Sequence, residues 1–165
     1  MPSIEFLTPE RLGGSYATVG ILYKEVLPAV AGIRRLFDVL YTSLVSDGAV
    51  AEVHFHLSRQ PVFPSKIGYG LHRIRVRTAK SLRLPDLDAM VPLGVDPARY
   101  REILYEQTQA IGDAAYFLGF DSIIAPNARW SCNNLILFTD QIALADLEVI
   151  ESKKVNWAEW RKKLK

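Results

Sequence analysis

Residues 37–57 read FDVLYTSLVSDGAVAEVHFHL and contain the transition that decides the fold. The first part, Phe37 to Thr42, is rich in β-forming residues and predicts a strand. A loop follows, in which Ser46 or Asp47 is expected to cap a helix. Apolar residues then recur at helical spacing, at Ala49, Val50, Val53 and Leu57. The stretch therefore predicts a strand that leads directly into a short helix.

The rest of the chain alternates short strands with irregularly placed helices. Further strands are predicted at residues 4–7, 72–77, 122–124, 135–138 and 143–149. Helices are predicted at residues 21–30, 96–119 and 156–165. In the second of these, Asp96 is the expected N-cap, Pro97 the first helical residue and Gly119 the C-terminal stop. This order favours an α+β fold over a regular βαβ array.

Composition limits the class of protein. A chain of 165 residues fits a single domain, 1–165, with a hydrophobic core of its own. Its net charge of +2 is too small to indicate nucleic-acid binding, although Arg73, Arg75 and Arg77 line one face of a predicted strand. The first residues do not resemble a signal peptide, no apolar run would span a membrane, and Cys132 has no partner cysteine. We therefore expect a cytoplasmic protein without a metal site.

Three stretches, in this order along the chain, resemble one known family. They are VLYTS and AVAEV at 39–43 and 49–53, YEQTQAIGD at 105–113, and GFDSIIAPNAR with NLILF at 119–129 and 134–138. Within the first stretch, Glu52 follows Tyr41 by eleven residues, as in that family. The set resembles the RES domain of bacterial toxins over roughly residues 37–138.

The resemblance implies a fold related to ADP-ribosyltransferases, a split β-sandwich with surrounding helices and NAD bound between two small sheets. It implies a growth-inhibiting toxin that uses NAD as its substrate. A neighbouring gene would encode a DNA-binding, Xre-like antitoxin that covers the active site. The reaction implied is cleavage of the nicotinamide–ribose bond with transfer of ADP-ribose to a protein acceptor.

Glu52 is the predicted catalytic residue. Positive charge develops on the ribose as nicotinamide departs, and a fixed carboxylate stabilises that charge. Because nicotinamide is already cationic in NAD, its departure needs no general acid. Without the resemblance, Glu52 would be taken for an ordinary solvated helix residue.

The predicted NAD-binding residues are Tyr41, Arg34, Arg35, Asn127 and His56. Tyr41 offers a ring against which nicotinamide can stack, and either arginine could clamp the pyrophosphate. Asn127 takes the place of the serine for which the family is partly named, and Ser131 is the fallback for that role. His56 lies one helical turn after Glu52 and could orient its carboxylate.

The sequence leaves the acceptor open. NAD breakdown, with water or phosphate as acceptor, is the alternative within the same chemistry. A non-catalytic binding module is an alternative of another class, supported by the three arginines of the predicted strand. A degenerate domain is the third alternative. It is suggested by Asn127 in place of the family's serine, and by Arg34 and Arg35, which lie closer to Tyr41 than the family's arginine does and lack its usual neighbours.

Overall fold

The computed structural model describes residues 5–7, 37, 39–63, 69–102 and 106–164. Its strands are β1 (Glu5–Leu7), β2 (Val39–Ser43), β3 (Gly70–Val76), β4 (Ser81–Arg83), β5 (Ser122–Pro126), β6 (Asn133–Phe138) and β7 (Leu147–Lys154). Its α-helices are α1 (Ser46–Ser58), α2 (Glu106–Phe117) and α3 (Trp157–Lys162). Short 3₁₀ turns lie at Val91–Leu93, Pro97–Arg99 and Leu144–Asp146. The α+β class predicted from the sequence is confirmed.

Two separate sheets form within the described residues. The larger has five strands in the order β1-β4-β5-β6-β2, in which β4 and β5 are parallel and the other neighbours antiparallel. The smaller is the antiparallel pair β3 and β7. The strand predicted at residues 4–7 is present as β1 (Glu5–Leu7), at one edge of this sheet.

The larger sheet is covered on both faces. Successive side chains of a strand point to opposite faces, and β6 divides accordingly. Leu135 and Leu137, fully buried, pack with Val76 of β3, whereas Phe138 packs with Ala115 of α2. The small sheet therefore covers one face of the large sheet, and α2 covers the other.

Helix α1, which carries Glu52, is held from both sides. It contacts β2 and β6 of the large sheet. Its apolar residues also form a cluster with Trp157 and Trp160 of α3, both almost fully buried. Lys163 at the end of α3 pairs with Asp47 in the first turn of α1, at 2.7 Å. The prediction of a terminal helix that begins near Asn156 is confirmed, and Asn156 is its N-cap.

Two predictions about helix ends were wrong. The N-cap of α1 is Val45, and no side chain caps this helix. Asp96 does cap Pro97 as expected, but this start produces only a 3₁₀ turn, and α2 begins at Glu106. The reason is tertiary, because the Tyr100 hydroxyl donates to the carbonyl of Pro126 at the end of β5 and the Arg101 carbonyl accepts from Arg129 in the loop that follows. The helix predicted at 21–30 lies outside the described residues.

The strand predicted at residues 143–149 begins later and extends further. Leu144–Asp146 forms a 3₁₀ turn, and β7 runs from Leu147 to Lys154. No helix of the described chain is long and apolar enough to cross a bilayer.

Candidate active site

Glu52 lies in the middle of α1 with its side chain partly buried against the loop between β5 and β6. It accepts hydrogen bonds from the backbone N–H of Ala128 and from the side chain of Asn134. Burial raises the pKa of the Glu52 carboxyl above its ordinary value. The charge of Arg129 opposes this rise, as do the two hydrogen bonds. The site therefore holds a carboxylate away from bulk water and supplies three features that favour its ionised form.

The helix comes close to the loop because residue 48 is glycine. A Cβ at Gly48 would overlap the Cys132 Sγ and Ser43 Oγ atoms and would lie 3.2 Å from the Asn127 Nδ2 atom. The Gly48 carbonyl instead accepts a hydrogen bond from Asn127 Nδ2 at 3.3 Å. The start of α1 is thereby joined directly to the loop that contacts Glu52.

Asn127 organises this loop and is 8% exposed. Its Oδ1 atom accepts hydrogen bonds from the N–H groups of Arg129, at 2.7 Å, and Trp130, at 2.9 Å. Its amide also donates to Oδ1 of Asn134 at 2.8 Å. Together with the bond to Gly48, these contacts occupy the Asn127 amide within the protein.

Arg129 is a charged residue of the site to which the sequence analysis assigned no role. Its guanidinium carbon lies 3.4 Å from the centre of the Phe55 ring, and its Nη1 atom donates to the Arg101 carbonyl at 2.8 Å. Its Nε atom is buried without a hydrogen-bond partner among the described residues. Arg129 ends the quoted stretch GFDSIIAPNAR, but nothing in the linear pattern places it beside residues of α1.

Tyr100 is a second residue that the sequence analysis did not place in the site. Its hydroxyl donates to the Pro126 carbonyl at 2.6 Å. Burial, reinforced by the negative charge of Glu52, raises the pKa of Tyr100 to about 12. Its phenol is therefore neutral at physiological pH and acts as a hydrogen-bond donor. In the sequence Tyr100 falls within the helix predicted at residues 96–119, where a tyrosine at apolar helical spacing indicates packing rather than a polar role.

His56 lies one turn after Glu52 on α1. Burial lowers its pKa, and the charges of Arg129 and Arg59 lower it further. The imidazole is therefore neutral at pH 7, since its ordinary pKa of 6.5 is already below that value.

Tyr41 lies in β2 opposite Ile136 of β6, with 49% of its surface exposed. Side chains two apart on a strand share a face, so Tyr41 shares its face with Ser43. The Ser43 hydroxyl lies 3.3 Å from the Cys132 Sγ atom of the β5–β6 loop. The exposed Tyr41 ring is therefore on the side of the strand that meets this loop.

An open cleft of about 680 Å³ adjoins the β5–β6 loop. Its lining residues are Pro85, Asp86, Leu87, Arg101, Pro126, Asn127, Arg129, Trp130, Ser131, Cys132 and Asn133. Of the predicted residues, Asn127 and the exposed Ser131 line this cleft. Glu52 and Tyr41 are not among the lining residues, but Arg129, whose charge acts on Glu52, is one of them. Arg34 and Arg35 lie outside the described residues.

Comparison with known proteins gives three results. The model of the RES domain family matches residues 34–158. No curated protein matches the chain. Among solved structures, the chain is similar to one from the crystal structure of the M. tuberculosis MbcT-MbcA toxin-antitoxin complex, with a TM-score of 0.68 and 19% identity. That similarity covers 79% of this chain and 73% of the other, and it shows a shared fold.

Proposed function

Since this chain belongs to the RES domain family, we propose that it is the toxin of a bacterial toxin–antitoxin pair. We propose further that it breaks the nicotinamide–ribose bond of NAD and transfers ADP-ribose to a protein acceptor. The observation that carries the proposal is the Glu52 carboxylate. It is partly buried, it is hydrogen-bonded by Ala128 and Asn134, and it lies within the field of Arg129.

In this reaction the bond between C1′ of the ribose and the nicotinamide nitrogen breaks. The electron pair of that bond leaves with nicotinamide, which becomes neutral, and positive charge develops on the ribose. A carboxylate already fixed beside that charge stabilises it without reorganisation. The acceptor then attacks C1′ and gives up its proton. Glu52 suits this role because Arg129, Asn134 and Ala128 favour its ionised form and oppose the rise in pKa that burial causes.

The cleft suits a nucleotide-sized substrate. Its volume of about 680 Å³ is within the range of small-molecule sites. Arg101 and Arg129 in its wall bring two positive charges that suit a pyrophosphate. The exposed ring of Tyr41 is available for stacking on nicotinamide. Contacts of Arg34, Arg35 and His56 with NAD remain predictions from the resemblance.

The acceptor remains to be identified by experiment, because Glu52 would serve transfer and breakdown equally. An open cleft admits water or phosphate as well as a protein side chain. NAD glycohydrolase or phosphorylase activity is therefore the second candidate within the same chemistry.

An antitoxin is the proposed partner. The structural neighbour was crystallised as a toxin-antitoxin complex, and we propose an Xre-like antitoxin that covers the cleft of this chain. Such a pair would act in the bacterial cytoplasm, where NAD is available.

Expression in bacteria without an antitoxin tests the proposal. Growth is expected to stop, and Glu52→Gln is expected to restore it, with a loss of NAD cleavage of at least about a hundredfold. Glu159→Gln is the matched control, because Glu159 is an exposed glutamate of α3. Folded Glu52→Gln protein that cleaves NAD at the parent rate would refute the proposed role of Glu52.

Labelling with biotinylated NAD distinguishes transfer to a protein from breakdown of NAD. Label retained on a protein after denaturing electrophoresis supports transfer. Free ADP-ribose or its phosphate, without labelled protein, supports breakdown and refutes transfer.

A further inference from the structure

Both the oxygen and the nitrogen of the Asn127 side-chain amide are hydrogen-bonded within the protein. A side-chain amide has two N–H donors and a carbonyl oxygen with two lone pairs. In Asn127 the oxygen accepts from the N–H groups of Arg129 and Trp130, and the nitrogen donates to Gly48 and to Asn134. With 8% exposure, this amide has no group left to offer to a ligand in this arrangement.

The orientation of the Asn127 amide follows from its backbone partners. The N–H groups of Arg129 and Trp130 can only donate, and the carbonyl of Gly48 can only accept. A flipped amide would place donor against donor twice and acceptor against acceptor once. Asn127 therefore has a single orientation that satisfies its neighbours.

The orientation of Asn134 follows in turn. The Asn127 nitrogen can only donate, so Asn134 must present its oxygen to it, as the 2.8 Å contact requires. The NH₂ group of Asn134 then occupies the opposite end of its amide. That group is the one available to the Glu52 carboxylate. Glu52 lies one helical turn after Gly48, on the face of α1 that Asn127 contacts, and hydrogen bonding from the Asn134 side chain lowers its pKa.

We propose that Asn127 and Asn134 are positioning residues that hold the Glu52 carboxylate, with Asn134 as the donor and Asn127 as the residue that fixes the direction of that donor. Their part in catalysis rests on the proposed function of Glu52. The role of Asn127 is then indirect, in place of the NAD contact that the resemblance implies for this position. A serine at position 127, with a single hydroxyl, could not form all of these hydrogen bonds at once.

Other groups also act on Glu52, and the test must separate them from the asparagines. Arg129 favours the ionised carboxylate by its charge, and the N–H of Ala128 does so by a hydrogen bond. Tyr100 and Cys132 are neighbours whose pKa values burial raises, and the charge of Glu52 raises both further. His56, on the next turn of α1, is neutral at pH 7. Substitution of Asn134 leaves all these groups in place. Asn127 also holds the backbone N–H groups of Arg129 and Trp130, so its effect through Asn134 must be separated by a double substitution.

The experiment is a carbon-13 NMR titration of the Glu52 carboxyl, assigned by comparison with Glu52→Gln. Asn134→Ala removes the donor, and the pKa of Glu52 is expected to rise by about one unit. Asn127→Ser is expected to raise it by about half a unit. Asn133→Ser is the matched control, because the adjacent Asn133 donates instead to the Pro85 carbonyl at 3.3 Å, and it is expected to leave the pKa of Glu52 unchanged.

A double substitution tests whether Asn127 acts through Asn134. If it does, Asn127→Ser has little further effect on the pKa of Glu52 in the Asn134→Ala background. An equal effect in both backgrounds would overturn the proposal. An unchanged pKa in folded Asn134→Ala would overturn it as well, even if Asn127→Ser failed to fold.

The titration uses the full chain and needs no NAD. If the expected shifts occur in a protein that does not cleave NAD, the positioning is established and the proposed function fails. If NAD is cleaved and the shifts are absent, the positioning role of the two asparagines fails and the proposed function stands. In an active protein, the acid limb of the pH–rate profile is expected to move to higher pH in both variants.

Discussion

The guanidinium of Arg129 lies over the ring of Phe55, with 3.4 Å between its central carbon and the ring centre. Phe55 follows Glu52 by three residues on α1, so the helix that carries the carboxylate also fixes its neighbouring cation. This contact joins the β5–β6 loop to α1 through two side chains. A second connection joins the same two elements, because the Asn127 side chain donates to the backbone carbonyl of Gly48.

Removing the charge of Arg129 is expected to move two titrations in the same direction. Arg129 lowers the pKa of Glu52 and lowers that of His56. In Arg129→Gln both pKa values should therefore rise, as measured by NMR of the Glu52 carboxyl and the His56 ring. Arg99→Gln, which removes an exposed arginine paired with Glu102, is the control. A rise for one group alone would show that Arg129 does not act on both.

The stacking contact itself is expected to contribute to stability. Phe55→Leu removes the ring but keeps an apolar side chain, and about 1 kcal/mol should be lost from the free energy of unfolding through this contact. Urea denaturation of Phe55→Leu, Arg129→Gln and the double variant measures the coupling. Additive losses would mean that the two side chains do not stabilise one another.

Glu52 is expected to make the stability of the protein depend on pH. Its pKa is raised in the folded state, so its contribution to stability is fully present below the ordinary glutamate pKa and is lost as the pH rises through the raised value. Glu52→Gln should therefore be more stable than the parent at neutral pH, with a smaller difference at acid pH. Thermal unfolding from about pH 4 to pH 8 measures this. Glu159→Gln controls for the loss of one charge, and a difference that is constant with pH would contradict the prediction.

Asp121 is expected to be structural. It is 6% exposed, its Oδ2 atom accepts the N–H groups of Ala79 and Lys80, and its Oδ1 atom accepts the hydroxyl of Ser122. Asp121→Ala leaves buried donors unpaired and should lower the free energy of unfolding by about 2–3 kcal/mol. Asp121→Asn keeps an acceptor for the two N–H groups and should lose less.

Chemical denaturation of these two variants, with the exposed Asp113→Ala as control, tests the role of Asp121. Equal losses in Asp121→Ala and Asp121→Asn would show that the negative charge, rather than the hydrogen bonds, is what matters.

Arg73 and Arg75 of β3, together with Arg77 directly after it, are expected not to bind nucleic acid. Arg73, Arg75 and Arg77 form ion pairs with Glu151, Glu148 and Asp146, at 3.3, 2.6 and 3.6 Å. Their charge is therefore balanced within the protein, which removes the main support for a nucleic-acid-binding module. Gel-shift assays with DNA and RNA should show no binding, either by the parent or by a variant with all three changed to glutamine. Salt-sensitive binding by the parent that the triple variant loses would reverse this interpretation.

Each of those surface pairs should contribute less than about 1 kcal/mol. Arg75→Glu is expected to lower the free energy of unfolding slightly, because it places like charges opposite one another across the strands. Glu148→Arg in the same chain should restore the loss. No restoration in the double variant would show that the pair contributes nothing to stability.

Local patterns predicted most of the elements. The strand and helix at residues 37–57 appear as β2 and α1, and the short runs near residues 122 and 135 appear as β5 and β6. The helix expected from Asp96 to Gly119 is confirmed at Glu106–Phe117, but Pro97–Arg99 at its predicted start forms only a 3₁₀ turn. Tyr100 and Arg101 bond instead to Pro126 at the end of β5 and to Arg129 in the loop after it, more than twenty residues further along the chain. Periodicity does not report such contacts.

The sequence by itself determined the α+β class, the order of the elements and the position of Glu52 on a helix directly after a strand. These properties depend on residues a few positions apart, which are visible in a linear pattern. Only the tertiary structure decided what surrounds the carboxylate. Asn127 and Gly48, which join the loop to the helix, are 79 positions apart. The close approach of the loop to the helix buries the Glu52 carboxyl, fixes the direction of the Asn134 amide and brings the charge of Arg129 near. The ionisation of a carboxylate depends on these surroundings rather than on its neighbours in the chain.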